Sequence, residues 1–401
     1  MTNGLYDIAV VGAGMVGATF AVALKESPLS LALLDGGPRP VPPPGDRFDV
    51  RVSAISPGTR SILEAGGAWD YLDQERVGPY QAMYVWDASS SGSIEFEAAD
   101  IGEPWLGYII ENANIQQALL QAIESAANIH SRFDATPAGL EVDAEQSRLL
   151  LEGGRILAAR LVVGADGARS WVRKALGIST DMRLYGERAY VCEARTDLPH
   201  RQTAWQRFLP TGPVAFLPLA NGHSSVVWTC DAELAAELAD LDEASFGRRL
   251  EAAFDRKLGA VEVVSAVQSF DLSRRQAVRY VGDRGALIGD AAHVVHPLAG
   301  QGANLGFSDA WSLARVVREA QAGGRDIGRS YVLRRYERWR RSENFSTMRM
   351  LDALHGLFST DSAAVRVVRG LGLNMVDSQD WLKHFLARQA MGPESGDAHL
   401  R

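Results

Sequence analysis

The sequence has only two cysteines, Cys192 and Cys230, among 401 residues. One bridge at most can form, so the chain is no disulfide scaffold, and this usage fits a reducing compartment. It lacks an excess of positive charge: 41 Lys and Arg stand against 49 Asp and Glu, a net charge of −8. That excludes a general nucleic-acid binder. It also lacks a convincing membrane span. Gly212 to Cys230 carries no charge for 19 residues, but two prolines, two glycines, Asn221 and His223 interrupt it. This stretch reads as two strands and a turn. The N-terminus lacks the basic lead of a secretory signal, for Asp7 precedes the first apolar run and glycines break it. Repeats and low-complexity tracts are missing too. What remains is 46% hydrophobic and 22% charged, an ordinary globular composition. The chain is long enough for a large core in two domains or one elaborated one.

The first motif is "YDIAVVGAGMVGATFAVAL". A short buried-strand run, Tyr6 to Val11, leads into Gly12-x-Gly14-x-x-Gly17 and a helical pattern. A second run, "LALLD", ends in Asp35, 18 residues after Gly17. This is a complete dinucleotide fingerprint in strand–turn–helix–strand context. Gly12 allows the tight turn, Gly14 the approach of a pyrophosphate and Gly17 close helix–strand packing. Asp35 is placed to accept from a ribose hydroxyl. The pattern does not distinguish NAD from FAD.

Two later stretches repeat the grammar. In "ARLVVGADGARSWVRKAL" a strand precedes Gly164 to Gly167, where Asp166 is either a cofactor-binding residue or part of a β-turn with an N-cap. In "GALIGDAAHVVHPLAGQGANLGFSDA" a strand ends at Asp290, and a helix opens on Gly300, Gln301 and Gly302. Glycines there let backbone N–H groups face a bulky polar ligand. The three-residue spacing of His293 and His296 is compatible with two metal ligands. No nearby Cys/Glu set completes a site, so no metal is expected. His293 reads as a packed or capping histidine, and His296 as facing a pocket.

With these three motifs in order, the sequence resembles the class A flavoprotein monooxygenases, the relatives of para-hydroxybenzoate hydroxylase. "HPLAGQGANLGFSDA", "WQRFLPTGPVAFLPLANGHSSVVWT" and the tail "ALHGLFS…VRGLGLN…WLKHFLARQAMG" are most similar to the ubiquinone-biosynthesis hydroxylases. The resemblance spans nearly the whole chain. It implies an α/β fold: a Rossmann-like FAD-binding domain, an inserted mainly antiparallel substrate sheet and a C-terminal helical segment. The expected divisions are 1–75, 105–180 and 272–340 for the FAD domain, 76–104 and 181–271 for the substrate domain, and 341–401 for the helices. FAD is the implied cofactor and NAD(P)H the co-substrate. The implied partners are O₂, a prenylated aromatic ring and a biosynthetic protein complex. Asp290 then holds ribityl or ribose hydroxyls, Pro297 to Gly302 line the isoalloxazine, and Ala303 and Asn304 open the next helix. Arg51 falls near the pyrophosphate, or is a surface arginine beside Asp49. Asn112 and Gln116 fall near the ribityl chain. Relatives often carry arginine around Asn112, so an N-cap is the alternative there.

The implied chemistry is ring hydroxylation through a flavin C4a-hydroperoxide in a site closed to water. Trp205, Phe208, Phe216, Leu217, Pro218 and Trp228 suit such a pocket or a plain sheet core. His296 and Tyr185 are the candidates to favour an ionised phenol, with Pro297 beside the flavin counted among the catalytic positions. A reductase or hydroxylase of the same fold acting on another lipid or aromatic substrate is the alternative, as is a non-catalytic flavin protein. A halogenase is disfavoured by the missing GxWxWxIP-like motif. "YQAMYVWDASSSGSIEFEA" reads as a hairpin, and "GGPRPVPPPGD" as a surface loop. From about Ser330 the pattern is helical. Val332, Tyr336 and Trp339 share one face, then Leu351, Leu354, Leu357 and Phe358, then Trp381, Leu382, Phe385 and Leu386. These faces pack on the body, meet a membrane with arginines toward anionic headgroups, or wall a prenyl channel, and the readings are compatible in part. The expected location is cytoplasmic, peripheral on the inner face of the membrane.

Overall fold

The structure is a computed structural model describing residues 5–41, 48–296 and 300–359, with 370, 375, 377 and 379. Its centre is an eight-stranded sheet. Five of its strands run parallel in the spatial order Gly285–Leu287, Ile156–Gly164, Leu5–Val11, Leu31–Leu34, Ile129–Arg132. Runs such as "LALL" are buried along their whole length, because parallel strands are covered on both faces. Helices Met15–Val22, Asn112–Glu124 and Gln301–Ala322 pack around this core. The register sets Val11 beside Gly164 and Gly164 beside Leu287. Three motifs far apart in sequence therefore leave the sheet at one edge, the carboxyl edge where open α/β sheets bind ligands.

The second sheet has nine strands and is antiparallel except where Thr203–Leu209 lies parallel to Ala82–Asp87. The expected hairpin forms from Ala82–Asp87 and Ser93–Glu97. Helices Ala232–Ala239 and Glu243–Ala253 cover one face. Phe216 and Trp228 are fully buried there, with Trp205 packed against the same cluster, so these three serve the sheet core rather than a pocket. Phe208 points to the other face and stacks on Phe358, ring centroids 3.6 Å apart. A small third sheet, Val52–Ile55, Gly107–Glu111 and Val77–Tyr80, was not foreseen. Cys192 and Cys230 are unbridged and buried.

A single helix, Ser330–Ser359, runs for 30 residues. Val332, Tyr336, Leu351 and Phe358 are buried as the periodicity implies. Trp339 is not. It is 42% exposed, lying under the Arg315 and Arg335 guanidiniums at 5.3 and 5.6 Å. Trp381, Leu382, Phe385 and Leu386 lie outside the described residues.

A buried ionic knot fastens this helix to the third motif. The Asp309 carboxylate, wholly buried, accepts from Gly289 N at 3.1 Å and meets His293 Nε2 at 2.6 Å on one oxygen. The other oxygen accepts from Arg340 Nε at 2.8 Å and Asn344 Nδ2 at 3.1 Å. Burial pushes this carboxyl up. The charges of His293 and Arg340 outweigh it and hold the group at about 2. Asp309→Asn leaves Arg340 buried opposite a neutral amide, and a loss of ~3–5 kcal/mol in urea unfolding at pH 7 is expected. Because the folded value lies below the ordinary carboxylate value, Asp309 contributes fully above about pH 4. The gap between wild type and variant should therefore close as pH falls from there toward about 2. A pH-independent gap would refute the ionic account.

Candidate functional site

The glycines of the first motif divide into two kinds. Gly12 has φ +104°, and a Cβ there would stand 2.3 Å from the Ala165 carbonyl oxygen; one on Gly17 would stand 1.9 Å from Gly12 O. Both are packing constraints inside the chain. Gly14 has φ −67°, and no atom of the described residues lies within 4 Å of its Cβ position. Gly14 caps helix Met15–Val22, and Gly300, at φ +62°, caps helix Gln301–Ala322; neither cap has a side-chain hydrogen bond. The two helices meet where Val16 packs on Gly306 and Gly289. Helix starts capped by glycine, with no side chain of their own to fill the position, suit an anionic ligand.

Around this edge the expected side chains assemble. Asp35 accepts from Ala13 N at 2.8 Å and Gly37 N at 2.9 Å, so it braces the glycine turn. Gln116 donates from Nε2 to Ala13 O at 2.8 Å. Asn112 is the first residue of its helix, behind Glu111 as cap, and its Oδ1 accepts from Ser53 Oγ at 2.6 Å. Arg51 is exposed and its charge reaches Asp290. Asp290 is solvent-accessible, yet burial lifts its carboxyl above the usual range against the pull of His293 and Arg51. A group both crowded and accessible lines a concave surface.

Two expected ligand residues have other partners. Asp166 accepts from Ser170 Oγ at 2.5 Å, Trp171 N at 2.6 Å and Val172 N at 3.0 Å, which caps the helix Trp171–Ala175. Asn304 is buried. It accepts from Ser56 N at 3.1 Å and donates to Ala54 O at 2.8 Å and Gly300 O at 3.4 Å. Its amide therefore positions the glycine turn. Gln301, Gly302 and Ala303 form the first turn of the same helix, partly accessible. Pro297 lies outside the described residues.

His296 and Tyr185 do come together, within a cluster that the sequence did not disclose. Their rings meet edge to face at 4.9 Å. Glu187 is shared by His296 Nε2 at 3.2 Å and His355 Nε2 at 2.8 Å. Tyr185 donates to Asp352 Oδ1 at 2.6 Å, and Arg274 Nη1 holds Asp352 Oδ2 at 2.8 Å. Burial and Asp352 raise the Tyr185 hydroxyl far above its usual range, so it acts as a donor and not as a base. Burial opposes ionisation of Glu187, but hydrogen bonds from His296 and His355 prevail and hold it at about 2. Glu187, His296 and His355 have the composition of a metal site, with ligand atoms within 4.8 Å of one another. The two N···O separations are nonetheless hydrogen-bond lengths and account for the arrangement without an ion. Among the described residues two atoms of the cluster are buried without a partner, Arg274 Nε and His296 Nδ1, and each costs about 1–3 kcal/mol unless a bound group meets it.

A family model described as an FAD binding domain matches residues 5–346. The chain belongs to that FAD-binding family. Among curated relatives, the 3-demethoxyubiquinol 3-hydroxylase of Escherichia coli is 35% identical over 98% of this chain and 100% of the relative. The ubiquinone hydroxylase UbiL of Rhodospirillum rubrum is 38% identical over 96% and 89%. The human ubiquinone biosynthesis monooxygenase COQ6 is 34% identical over 95% and 92%. Among solved structures, p-nitrophenol 4-monooxygenase from Pseudomonas putida superposes with a TM-score of 0.78 at 20% identity, over 97% of this chain and 99% of that one. That likeness shows the fold.

The site fits FAD. Two glycine-capped helix starts suit a diphosphate, no described atom crowds Gly14, and Asp290 offers an accessible acceptor. Gly14→Val should leave the apoprotein folded, at a cost of about 1 kcal/mol or less for a poorer helix cap, while FAD content falls at least tenfold. Gly17→Ala should lower stability itself, by about 1–3 kcal/mol or more, through overpacking. Flavin absorbance per protein and thermal unfolding of both apoproteins check the contrast. Equal losses of stability would mean that Gly14 is a packing position too.

Proposed function

We propose that the protein is an FAD-dependent monooxygenase that hydroxylates the ring of a prenylated phenol or quinol in ubiquinone biosynthesis, using NAD(P)H and O₂. The reading rests above all on 35% identity along 98% of the chain to a relative named as a demethoxyubiquinol hydroxylase. The convergence of the three glycine motifs at one sheet edge supports it. FAD, when bound, accepts hydride from NAD(P)H and activates O₂. The chain's own residues bind and orient. The backbone at Gly14 and Gly300 would hold the pyrophosphate and ring, Asp35 and Asp290 would accept sugar-chain hydroxyls, and Arg51 would offset phosphate charge. Gln116 and Asn112 hold the adjoining turn and strand. The sheet face opposite Trp228, with Phe208, Phe358 and Met348, keeps water from the substrate side.

The divisions at 76–104 and 181–271 suit a substrate domain in this reading, while helix Ser330–Ser359 runs unbroken across the expected boundary between 340 and 341. The exposed side of helix Ser330–Ser359 carries Arg334, Arg335, Arg338, Arg341 and Arg349 beside Tyr331, Trp339, Phe345 and Met350. In a chain of net charge −8, this basic and aromatic face suits an anionic bilayer holding the prenyl substrate. Among the described residues no helix is long and apolar enough to cross a membrane.

The purified protein should show flavin absorbance that NAD(P)H bleaches faster when a prenylated phenol is present, with a hydroxylated product by mass spectrometry. Flavin reduction indifferent to every phenol would end the hydroxylase assignment. Arg338→Glu with Arg341→Glu should reduce co-sedimentation with anionic vesicles several-fold and leave neutral vesicles unaffected; unchanged anionic binding removes the membrane role of this face.

A further inference from the structure

The cluster around His296 is built from three separate parts of the chain. Tyr185 and Glu187 come from strand Thr180–Thr196, where pairing shifts register between Leu184 and Arg188 and Gly186 takes φ +73°. Such bulges re-aim side chains near sites. Asp352 and His355 come from helix Ser330–Ser359, and His296 lies just beyond the third motif's strand segment His293–Val294, after Val295. The charged and titratable groups around His296 are Glu187 and Tyr185 from the strand and His355 and Asp352 from the helix. Arg183 lies over the Tyr185 ring at 5.6 Å, and Arg274 pairs with Asp352 and Asp181.

Glu187, ionised at neutral pH, is an acceptor only. Both facing Nε2 atoms must therefore carry hydrogens. His296 is 1% exposed, and among the described residues no acceptor faces its Nδ1. A hydrogen on Nε2 and a bare Nδ1 is the tautomer that matches these partners. Glu187 and His355 are more accessible, at 12% and 14%, so the cluster has an enclosed basic end and an outer end near solvent.

We propose that Glu187 is a positioning residue: set between His296 and His355, it fixes His296 in the Nε2–H form and leaves Nδ1 to take the ring-hydroxyl proton of the aromatic substrate. The proposal rests on the hydroxylase reading. In the step, the substrate O–H bond breaks and an N–H bond forms at Nδ1. The oxygen keeps the electron pair and passes density into the ring that is to be oxygenated, and the imidazolium faces Glu187. The C-terminal helix thereby belongs to the active site through His355 and Asp352.

The test uses FAD-loaded protein with ¹⁵N-labelled histidine, the His296 signals being assigned by their loss in His296→Gln. The expected spectrum near neutral pH shows Nε2 protonated and Nδ1 bare, and Glu187→Gln populates the other tautomer. A protonated Nδ1, or a tautomer indifferent to Glu187→Gln, overturns the proposal. Turnover is then compared on a prenylated phenol and on a fluorinated analogue whose hydroxyl is already ionised. His296→Gln should lose about 100-fold on the first and recover most of it on the second, with Glu187→Gln following the same pattern at smaller amplitude. Equal loss on both phenols means a structural role and overturns the base assignment alone. Wild-type protein inert toward both overturns the hydroxylase reading and this proposal with it. Loss of the His296 signature on chelator treatment, restored by zinc, overturns it in favour of a metal site.

Discussion

Hydrogen-bond register in the central parallel sheet is the constraint on which everything else rests. Val11, Gly164 and Leu287 lie abreast, and each strand ends where its neighbour ends. Displace one by two residues and the turns after them no longer meet. Gly12 would leave Ala165, against which it can pack only because it has no Cβ. The second glycine motif is thus in part a platform for the first. Asp166 shows the same division of labour, its carboxylate turned to capping a helix.

A second dependency runs through Asp309. Its carboxylate ties Gly289 and His293 of the third motif to Arg340 and Asn344 of the long helix. A buried ion pair is a poor source of net stability. It does specify one seating of the helix, and that seating brings Asp352 and His355 over the strand that carries Tyr185 and Glu187. The knot in the core and the cluster at the site are two ends of one helix.

The sequence disclosed what glycine and periodicity can disclose. The fingerprint at Gly12, Gly14 and Gly17, the strands before each motif, the hairpin at Ala82 and the helix after Gly300 follow from local spacing. What stayed hidden is pairwise and distant. Glu187 and His355 are 168 residues apart, and nothing in either neighbourhood names the other. Arg340 looked like one more arginine in a basic run, and only the fold shows it buried against Asp309. Trp339 had the spacing of a core residue, but cation–π stacking by Arg315 and Arg335 holds it at the surface. Asn304 sat in a ligand motif, yet its amide holds backbone.

The interleaved order of the parallel strands also dictates when the molecule can exist during its synthesis. The earliest of the described strands, Leu5–Val11, is central, and its neighbour on one side ends at Gly164. The next strand outward is not made until Leu287, and the helix that locks it is complete only near residue 359. Such non-local closure is slow and leaves apolar edges waiting. A nascent chain halted before Leu287 therefore presents an unfinished sheet with its apolar edge uncovered.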